Sequence, residues 1–156
     1  EVHGMSQRGG DVQSHLRLSD KTIYSDLIAQ GSADMIISME PMESLRYLPY
    51  LSNEGRVVTG SKPFVNIPDY PDTDTLMAEL GALPAVDMMD IDAVARDAGN
   101  PRGANMVLLG MAARYFSILS PQELQDAIRT VFARKGEGVV EANLKAFRAG
   151  LEGLDS

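Results

Sequence analysis

The chain has 156 residues, enough for one domain with a hydrophobic core, and its 44% hydrophobic and 23% charged residues are typical of a globular protein. With 22 Asp and Glu against 14 Lys and Arg, its net charge of −8 lacks the basic excess that nucleic-acid binding needs, and no apolar run is long enough to span a membrane. The absence of cysteine excludes disulfides, thiolate zinc sites, cysteine nucleophiles and cysteine-ligated iron–sulfur clusters, and it fits a reducing cytoplasm, where we expect the protein to work.

Polar and apolar residues alternate over Asp11–Leu18, which predicts a strand with one buried and one solvated face. The predicted buried face holds Val12, Ser14, Leu16 and Leu18, and the solvated face holds Gln13, His15 and Arg17. Next, the near-continuous apolar run Ala33–Met39 is typical of a buried, parallel strand. Glu40 and Pro41 then open a short helix that we predict to run through Leu48.

The middle of the chain alternates strand and helix patterns. We predict strands at Arg56–Thr59, Phe64–Ile67 and Ala85–Met89, a Pro/Asp-rich loop at Ile67–Asp72, and helices at Thr73–Leu80, Ile91–Ala98 and Asn100–Phe116. The last of these helices is apolar nearly all round, so we expect it to be buried.

The C-terminal part is predicted to be helical. Ser120, Pro121 and Glu123 form a capping-box pattern at the start of one helix, and glycines at 136 and 138 separate it from a last helix over Val140–Leu151. The whole chain, residues 1–156, therefore predicts a single α/β domain. We expect a three-layer sandwich with a mainly parallel, mixed, Rossmann-like sheet and a helical C-terminal part.

The segment just before the first predicted strand is the most unusual in the chain. Gly9 and Gly10 allow the backbone to approach a ligand or partner closely, and Arg8 adds a planar cation suited to phosphate or carboxylate. Ser6 and Gln7 add neutral hydrogen-bonding groups, so the segment could form a small anion pocket. The alternative is a tight turn whose arginine pairs with a carboxylate.

Two further positions carry a functional and a structural interpretation. Glu40 follows the buried strand at the edge where parallel sheets bind ligands, but a carboxylate also stabilises a helix start. The helix start at Asn100–Asn105, with Arg102, could hold an anion, or it could be a structural cap in which Asn105 makes a buried polar bridge. His3 and His15 are too few for a metal site, and we expect structural roles for both.

Several of these segments together resemble a known family. The stretch EVHGMSQRGG at residues 1–10, with SHLR at residues 14–17, resembles the corresponding stretch of indolepyruvate:ferredoxin oxidoreductase beta subunits, which belong to the gamma-type chains of 2-oxoacid:acceptor oxidoreductases. The resemblance continues at residues 33–34, 40–41, 45–48, 99–101, 105–110, 146–147 and 149–150. Such chains begin with a strand, a Gly-rich loop and a helix that these residues lack. We expect that segment to exist outside the printed sequence, because a sheet without a central parallel strand loses hydrogen bonds and cover.

The resemblance implies an accessory subunit of an enzyme that oxidatively decarboxylates 2-oxoacids. Its holoenzyme would convert an aryl pyruvate such as indolepyruvate and coenzyme A to an acyl-CoA, carbon dioxide and reduced ferredoxin. Thiamine diphosphate, magnesium and the iron–sulfur clusters would lie in a large catalytic partner subunit, coenzyme A is a candidate ligand at the interface, and a homodimer is a further candidate assembly. No catalytic residue is assigned to this chain. The residues that we predict to contact the partner or a ligand phosphate are Ser6, Gln7, Arg8, Gly9, Gly10 and Asn105.

Two other functions stay open at this point. A stand-alone Rossmann-like module would bind a nucleotide or coenzyme A without a partner. A pure scaffold would leave turnover of the complex unchanged when Arg8 is replaced.

Overall fold

The computed structural model describes residues 12–65 and 68–155. The three strands are β1 (Ala33–Ser38), β2 (Leu51–Gly60) and β3 (Val86–Met89). The six α-helices of the described part are α1 (Pro41–Arg46), α2 (Thr73–Gly81), α3 (Ile91–Asp97), α4 (Ala104–Ala113), α5 (Pro121–Phe132) and α6 (Glu137–Glu152). Short 3-10 turns cover Leu48–Tyr50, Ala133–Lys135 and Gly153–Asp155.

The strands form one parallel sheet in the order β1-β2-β3. Ile36 pairs with Val57 across the first ladder, and Thr59 pairs with Met88 across the second. The predicted α/β class with parallel strands and flanking helices is therefore confirmed. All three strands place their carboxyl ends at the same edge of the sheet.

Helices cover both faces of β2. Val58 is fully buried in a cluster that includes Ile91 of α3 and Met111 of α4. Val57 and Thr59, equally buried, point to the opposite face because side chains alternate along a strand. On that side α1 packs against β1, β2 and α2, which completes three layers.

The helical C-terminal part has its own apolar cluster. It is formed by Ala113, Ile128, Val140, Leu144 and Phe147, which come from α4, α5 and α6. The predicted burial of α4 is confirmed, since seven of its ten residues are buried. Its predicted bounds were too wide, because a turn that Gly103 N–H closes onto Asn100 C=O precedes the first helical residue.

The predicted strand at Asp11–Leu18 is wrong for the described residues 12–18, which lie in no strand. The predicted burial is also wrong, because Val12, Leu16 and Leu18 are 53%, 72% and 55% exposed. Periodicity predicts which residues share a face, but the fold decides whether anything covers that face.

Two other strand predictions need correction. Phe64 and Val65 lie outside any strand and are largely exposed, and the remaining residues of that prediction, 66 and 67, fall outside the described residues. Most of the run Ala33–Met39 forms β1, which ends at Ser38, but Ile37 in the strand and Met39 after it are 44% and 51% exposed. The reason is that β1 is the outer strand of the sheet within the described residues, with β2 on one side.

Candidate functional site

The carboxyl edge of the sheet is organised around Glu40, the residue that follows β1. One carboxylate oxygen, Oε2, accepts a hydrogen bond from Glu43 N–H at 3.0 Å and so caps α1. The other, Oε1, accepts from Phe64 N–H at 3.3 Å and from the Tyr70 hydroxyl. Glu40 therefore joins the end of β1 to the segment that follows β2. Of the two interpretations of this residue, the geometry favours the structural one.

The pKa of the Tyr70 hydroxyl is shifted by burial and by its position beside Glu40. Burial, the hydrogen bond to Glu40 and the negative charges of Glu40 and Glu43 together raise the pKa of Tyr70 well above its usual value. Tyr70 therefore stays a neutral hydrogen-bond donor throughout the physiological pH range. Pattern reasoning missed this residue, because its partner lies 30 positions away in the sequence.

The same edge is closely packed between β1 and β2. The Ser38 hydroxyl donates to Glu40 C=O at 2.7 Å and accepts from Glu40 N–H at 3.2 Å. A Cβ built on Gly60 would lie 2.5 Å from Met39 C=O, so only glycine fits at this close approach. The end of β2 therefore lies against the backbone that follows β1 at this edge.

A second polar cluster lies on the α4 face of the sheet. Arg56 Nη1 pairs with Asp87 Oδ2 at 2.8 Å, and the guanidinium carbon lies 4.0 Å from the centre of the Tyr115 ring. Burial, followed by the hydrogen bond and charge of Asp87, raises the pKa of the Tyr115 hydroxyl. This cluster joins β2, β3 and the end of α4. Pattern reasoning missed it, because its residues are distant in sequence.

The predicted binding residues are described only in part. Ser6, Gln7, Arg8, Gly9 and Gly10 lie outside the described residues. Asn105 lies in the first turn of α4, and it is exposed.

The prediction that Asn105 makes a buried polar bridge is wrong, because Asn105 is exposed. Instead, Asn100 Nδ2 donates to Asn143 Oδ1 at 3.4 Å, and Asn143 donates to Val139 C=O at 2.8 Å. This bridge ties the start of α4 to α6, and it leaves Asn105 accessible to a ligand or partner.

His15 has a structural contact, as predicted. Its Nδ1 accepts a hydrogen bond from Ile28 N–H at 3.0 Å, and its ring makes an edge contact with Tyr50 at 5.5 Å. His3 lies outside the described residues. Within the part of the chain that the structure describes, no three His, Asp or Glu side chains are grouped as a metal site would require. Nor does that part contain a helix long and apolar enough to cross a membrane.

Comparison with known proteins identifies the family. The family model described as pyruvate ferredoxin/flavodoxin oxidoreductase matches residues 1–153. The chain belongs to this family. The resemblance predicted from the sequence is thereby confirmed.

Two curated relatives in this family illustrate that similarity. The indolepyruvate oxidoreductase subunit IorB of Archaeoglobus fulgidus is 33% identical over 96% of this chain and 76% of its own length. The subunit of the same name from Thermococcus kodakarensis is 32% identical over 97% of this chain and 78% of its own length.

Two solved structures from the wider group share the fold. The gamma subunit of a keto/oxoacid ferredoxin oxidoreductase from Geobacter sulfurreducens superposes with a TM-score of 0.55 and 24% identity, over 82% of this chain and 65% of that chain. The 2-oxoglutarate:ferredoxin oxidoreductase of Magnetococcus marinus, solved with 2-oxoglutarate, coenzyme A and succinyl-CoA bound, superposes with a TM-score of 0.58 and 22% identity. That match covers 85% of this chain and 21% of the larger one.

Proposed function

We propose that this chain is the accessory, non-catalytic subunit of a thiamine-diphosphate-dependent 2-oxoacid:ferredoxin oxidoreductase that acts on aryl pyruvates such as indolepyruvate. The observation that carries the proposal is the 33% identity, over 96% of the chain, to a subunit named for indolepyruvate oxidation. The holoenzyme would decarboxylate the 2-oxoacid, transfer the acyl group to coenzyme A and pass two electrons to ferredoxin.

Thiamine diphosphate, Mg²⁺ and the iron–sulfur clusters are assigned to a large catalytic partner. This assignment agrees with the composition of these 156 residues, which include no cysteine to ligate a cluster. Thiamine diphosphate would supply the carbanion chemistry of decarboxylation. This chain would supply binding surface and shape, as one domain in a cytoplasmic hetero-oligomer. Ferredoxin would interact with the assembled holoenzyme. A homodimer of this chain within that assembly is part of the same proposal.

Reconstitution tests the proposal directly. The chain and the large subunit from the same organism are purified separately, and indolepyruvate- and coenzyme-A-dependent ferredoxin reduction is measured for each alone and for the mixture. We expect no activity from this chain by itself and full activity from the mixture. Reduction of ferredoxin by this chain alone would overturn the proposal.

We further propose that Ser6, Gln7, Arg8, Gly9, Gly10 and Asn105 contact coenzyme A or the partner subunit. The exposure of Asn105 supports this, because a ligand or partner could reach its amide. Truncating a desolvated arginine–phosphate contact typically costs on the order of 2–5 kcal/mol. Arg8→Ala is therefore expected to raise the KM for coenzyme A, or the Kd for the partner, by at least tenfold. Arg134→Ala, at an exposed arginine near the end of α5, is the matched control. Equal effects of the two substitutions would contradict the assignment.

Calorimetry separates this function from the stand-alone module. Coenzyme A is titrated into the isolated chain and into the reconstituted complex. We expect binding to the complex and none to the chain alone. Tight binding to the isolated chain would favour the module instead.

A further inference from the structure

Residues 12–28, here called the apolar loop, turn their apolar side chains outward. Six large apolar residues in this loop are at least 40% exposed: Val12, Leu16, Leu18, Ile23, Tyr24 and Leu27. Within the alternating part the polar residues Gln13 and His15 are the half-buried ones. The apolar side of the alternation therefore has no cover within the described chain.

Polar contacts inside the apolar loop hold it in shape. Arg17 Nη1 donates to Ser25 C=O at 2.7 Å, which joins the two limbs of the loop. Ile28 N–H donates to His15 Nδ1 at 3.0 Å, and the His15 ring contacts Tyr50, beside the start of β2. The loop is therefore fixed to the body of the protein by its polar side chains, which leaves its apolar side chains free to meet another surface.

The exposed area is of the size that a protein interface uses. An aromatic side chain such as Tyr24 buries about 150–250 Å², and the five aliphatic residues are smaller, so the exposed fractions of the six correspond to several hundred Å², a large part of one side of an interface. One partner in a standard interface contributes about 800 Å². Exposed apolar patches of this size on soluble proteins commonly mark interaction sites. We infer that the apolar loop is a docking surface for the catalytic subunit, an inference that rests on the proposed function.

Charge favours a different polypeptide over a second copy as the occupant. The loop is charge-balanced, with Arg17 and Lys21 offset by Asp20 and Asp26, whereas the chain as a whole has a net charge of −8. Two copies that met through this loop would bring two net-negative molecules together with no net opposite charge on the loop to offset them, which opposes self-association through this surface. A neutral apolar surface on an acidic protein instead suits a partner that offers apolar side chains and a less acidic rim.

The test measures the affinity of the full-length chain for the purified catalytic subunit by calorimetry. The variant Leu16→Ser with Tyr24→Ser removes two anchors that are 72% and 93% exposed, so its thermal unfolding should match that of the wild type. We expect its Kd for the catalytic subunit to rise at least tenfold. The matched control is Val131→Ser, which changes a 70% exposed residue on α5 and should leave the Kd unchanged.

Each outcome decides the inference separately from the proposed function. If the wild-type chain binds the catalytic subunit and the loop variant binds equally well, the inference is wrong while the proposed function stands. Sedimentation of the chain alone tests for self-association through the loop. If the wild type and the Val131→Ser control self-associate, the loop variant does not, and the loop variant keeps its affinity for the catalytic subunit, then a second copy is the occupant and the inference is wrong. If the wild-type chain does not bind the catalytic subunit, the proposed function itself fails.

Discussion

Gly110 of α4 and Gly150 of α6 lie where the two helices cross, and each faces the backbone of the other helix. A Cβ built on Gly110 would overlap Phe147 C=O, and one built on Gly150 would overlap Val107 C=O. The absence of a side chain on both residues lets the two backbones come into direct contact. This contact connects the core under the sheet to the C-terminal helical cluster.

Replacement of either glycine by alanine is expected to destabilise the protein severely. The new methyl group would meet rigid backbone, so the helices must separate and lose their packing. Overpacking a core typically costs about 1–3 kcal/mol, and we expect at least about 3 kcal/mol here because no flexible side chain can move aside. Urea unfolding monitored by circular dichroism measures the loss.

Gly138 provides the control for this prediction. It lies near the start of α6, and a Cβ there would meet nothing within 4 Å. Gly138→Ala should leave stability unchanged or raise it by about 0.5–1 kcal/mol, since alanine loses less backbone entropy in a helix. A similar loss of stability in all three variants would show that the crossing is not the cause.

The pair Arg56–Asp87 is expected to contribute measurably to stability. Its side chains are 31% and 18% exposed, so water screens their attraction only in part. In a double-mutant cycle with Arg56→Met and Asp87→Asn, we expect a coupling free energy of about 1 kcal/mol. The exposed pair Arg129–Glu141, at 47% and 42%, is the control and should give less than about 0.5 kcal/mol. Equal coupling in both cycles would contradict the role of burial.

Tyr70 should make the protein sensitive to alkali. The pKa of Tyr70 in the folded protein lies above the usual value of 10.0. The stabilisation that the neutral Tyr70 hydroxyl gives the folded state is therefore fully present below about pH 10, and it is lost as the pH rises further. Tyr70→Phe should therefore lower stability at pH 8 and flatten the decline above pH ~10. Thermal unfolding as a function of pH measures this.

Tyr24→Phe is the control for this alkaline effect, since Tyr24 is 93% exposed and should not alter the profile. A wild-type profile that does not fall above pH ~10 would argue against the raised pKa.

The capping box of α5 should add acid sensitivity. Hydrogen bonds from the Ser120 backbone and hydroxyl lower the pKa of Glu123 below its usual 4.5. Such a group stabilises the folded state above its unfolded pKa, and the contribution is lost as the pH falls through the lower folded value.

Two variants test the capping box. Glu123→Gln should therefore flatten the loss of stability between pH ~5 and ~3. Ser120→Ala should lower stability by about 1 kcal/mol at pH 7 through loss of the cap. If Glu123→Gln unfolds with the same acid profile as the wild type, the pKa assignment is wrong.

Local sequence signals predicted the starts of α2 and α5 well. Asp72 caps α2 by accepting from Thr75 N–H, and Ser120 caps α5 by accepting from Glu123 N–H. Each of these hydrogen bonds joins residues three positions apart, so it depends only on residues that are close together in the sequence. The parallel sheet was predictable for a similar reason, since strands that alternate with helices favour parallel pairing.

Contacts between distant residues were decided by the tertiary structure alone. Glu40 and Tyr70 are hydrogen-bonded although 30 positions separate them in the sequence, and Arg56 and Asp87 are paired across 31 positions. Helix and strand periodicity does not predict contacts at such separations. The apolar loop shows the same limit, because its alternation was visible while its outward orientation was not. Thus the sequence by itself determined most of the helices, the parallel strands β1 to β3 and the family, although it also predicted strands at residues 12–18 and 64–65 that do not form. Only the packed chain decided which surfaces are covered, since burial depends on elements brought together from distant parts of the sequence.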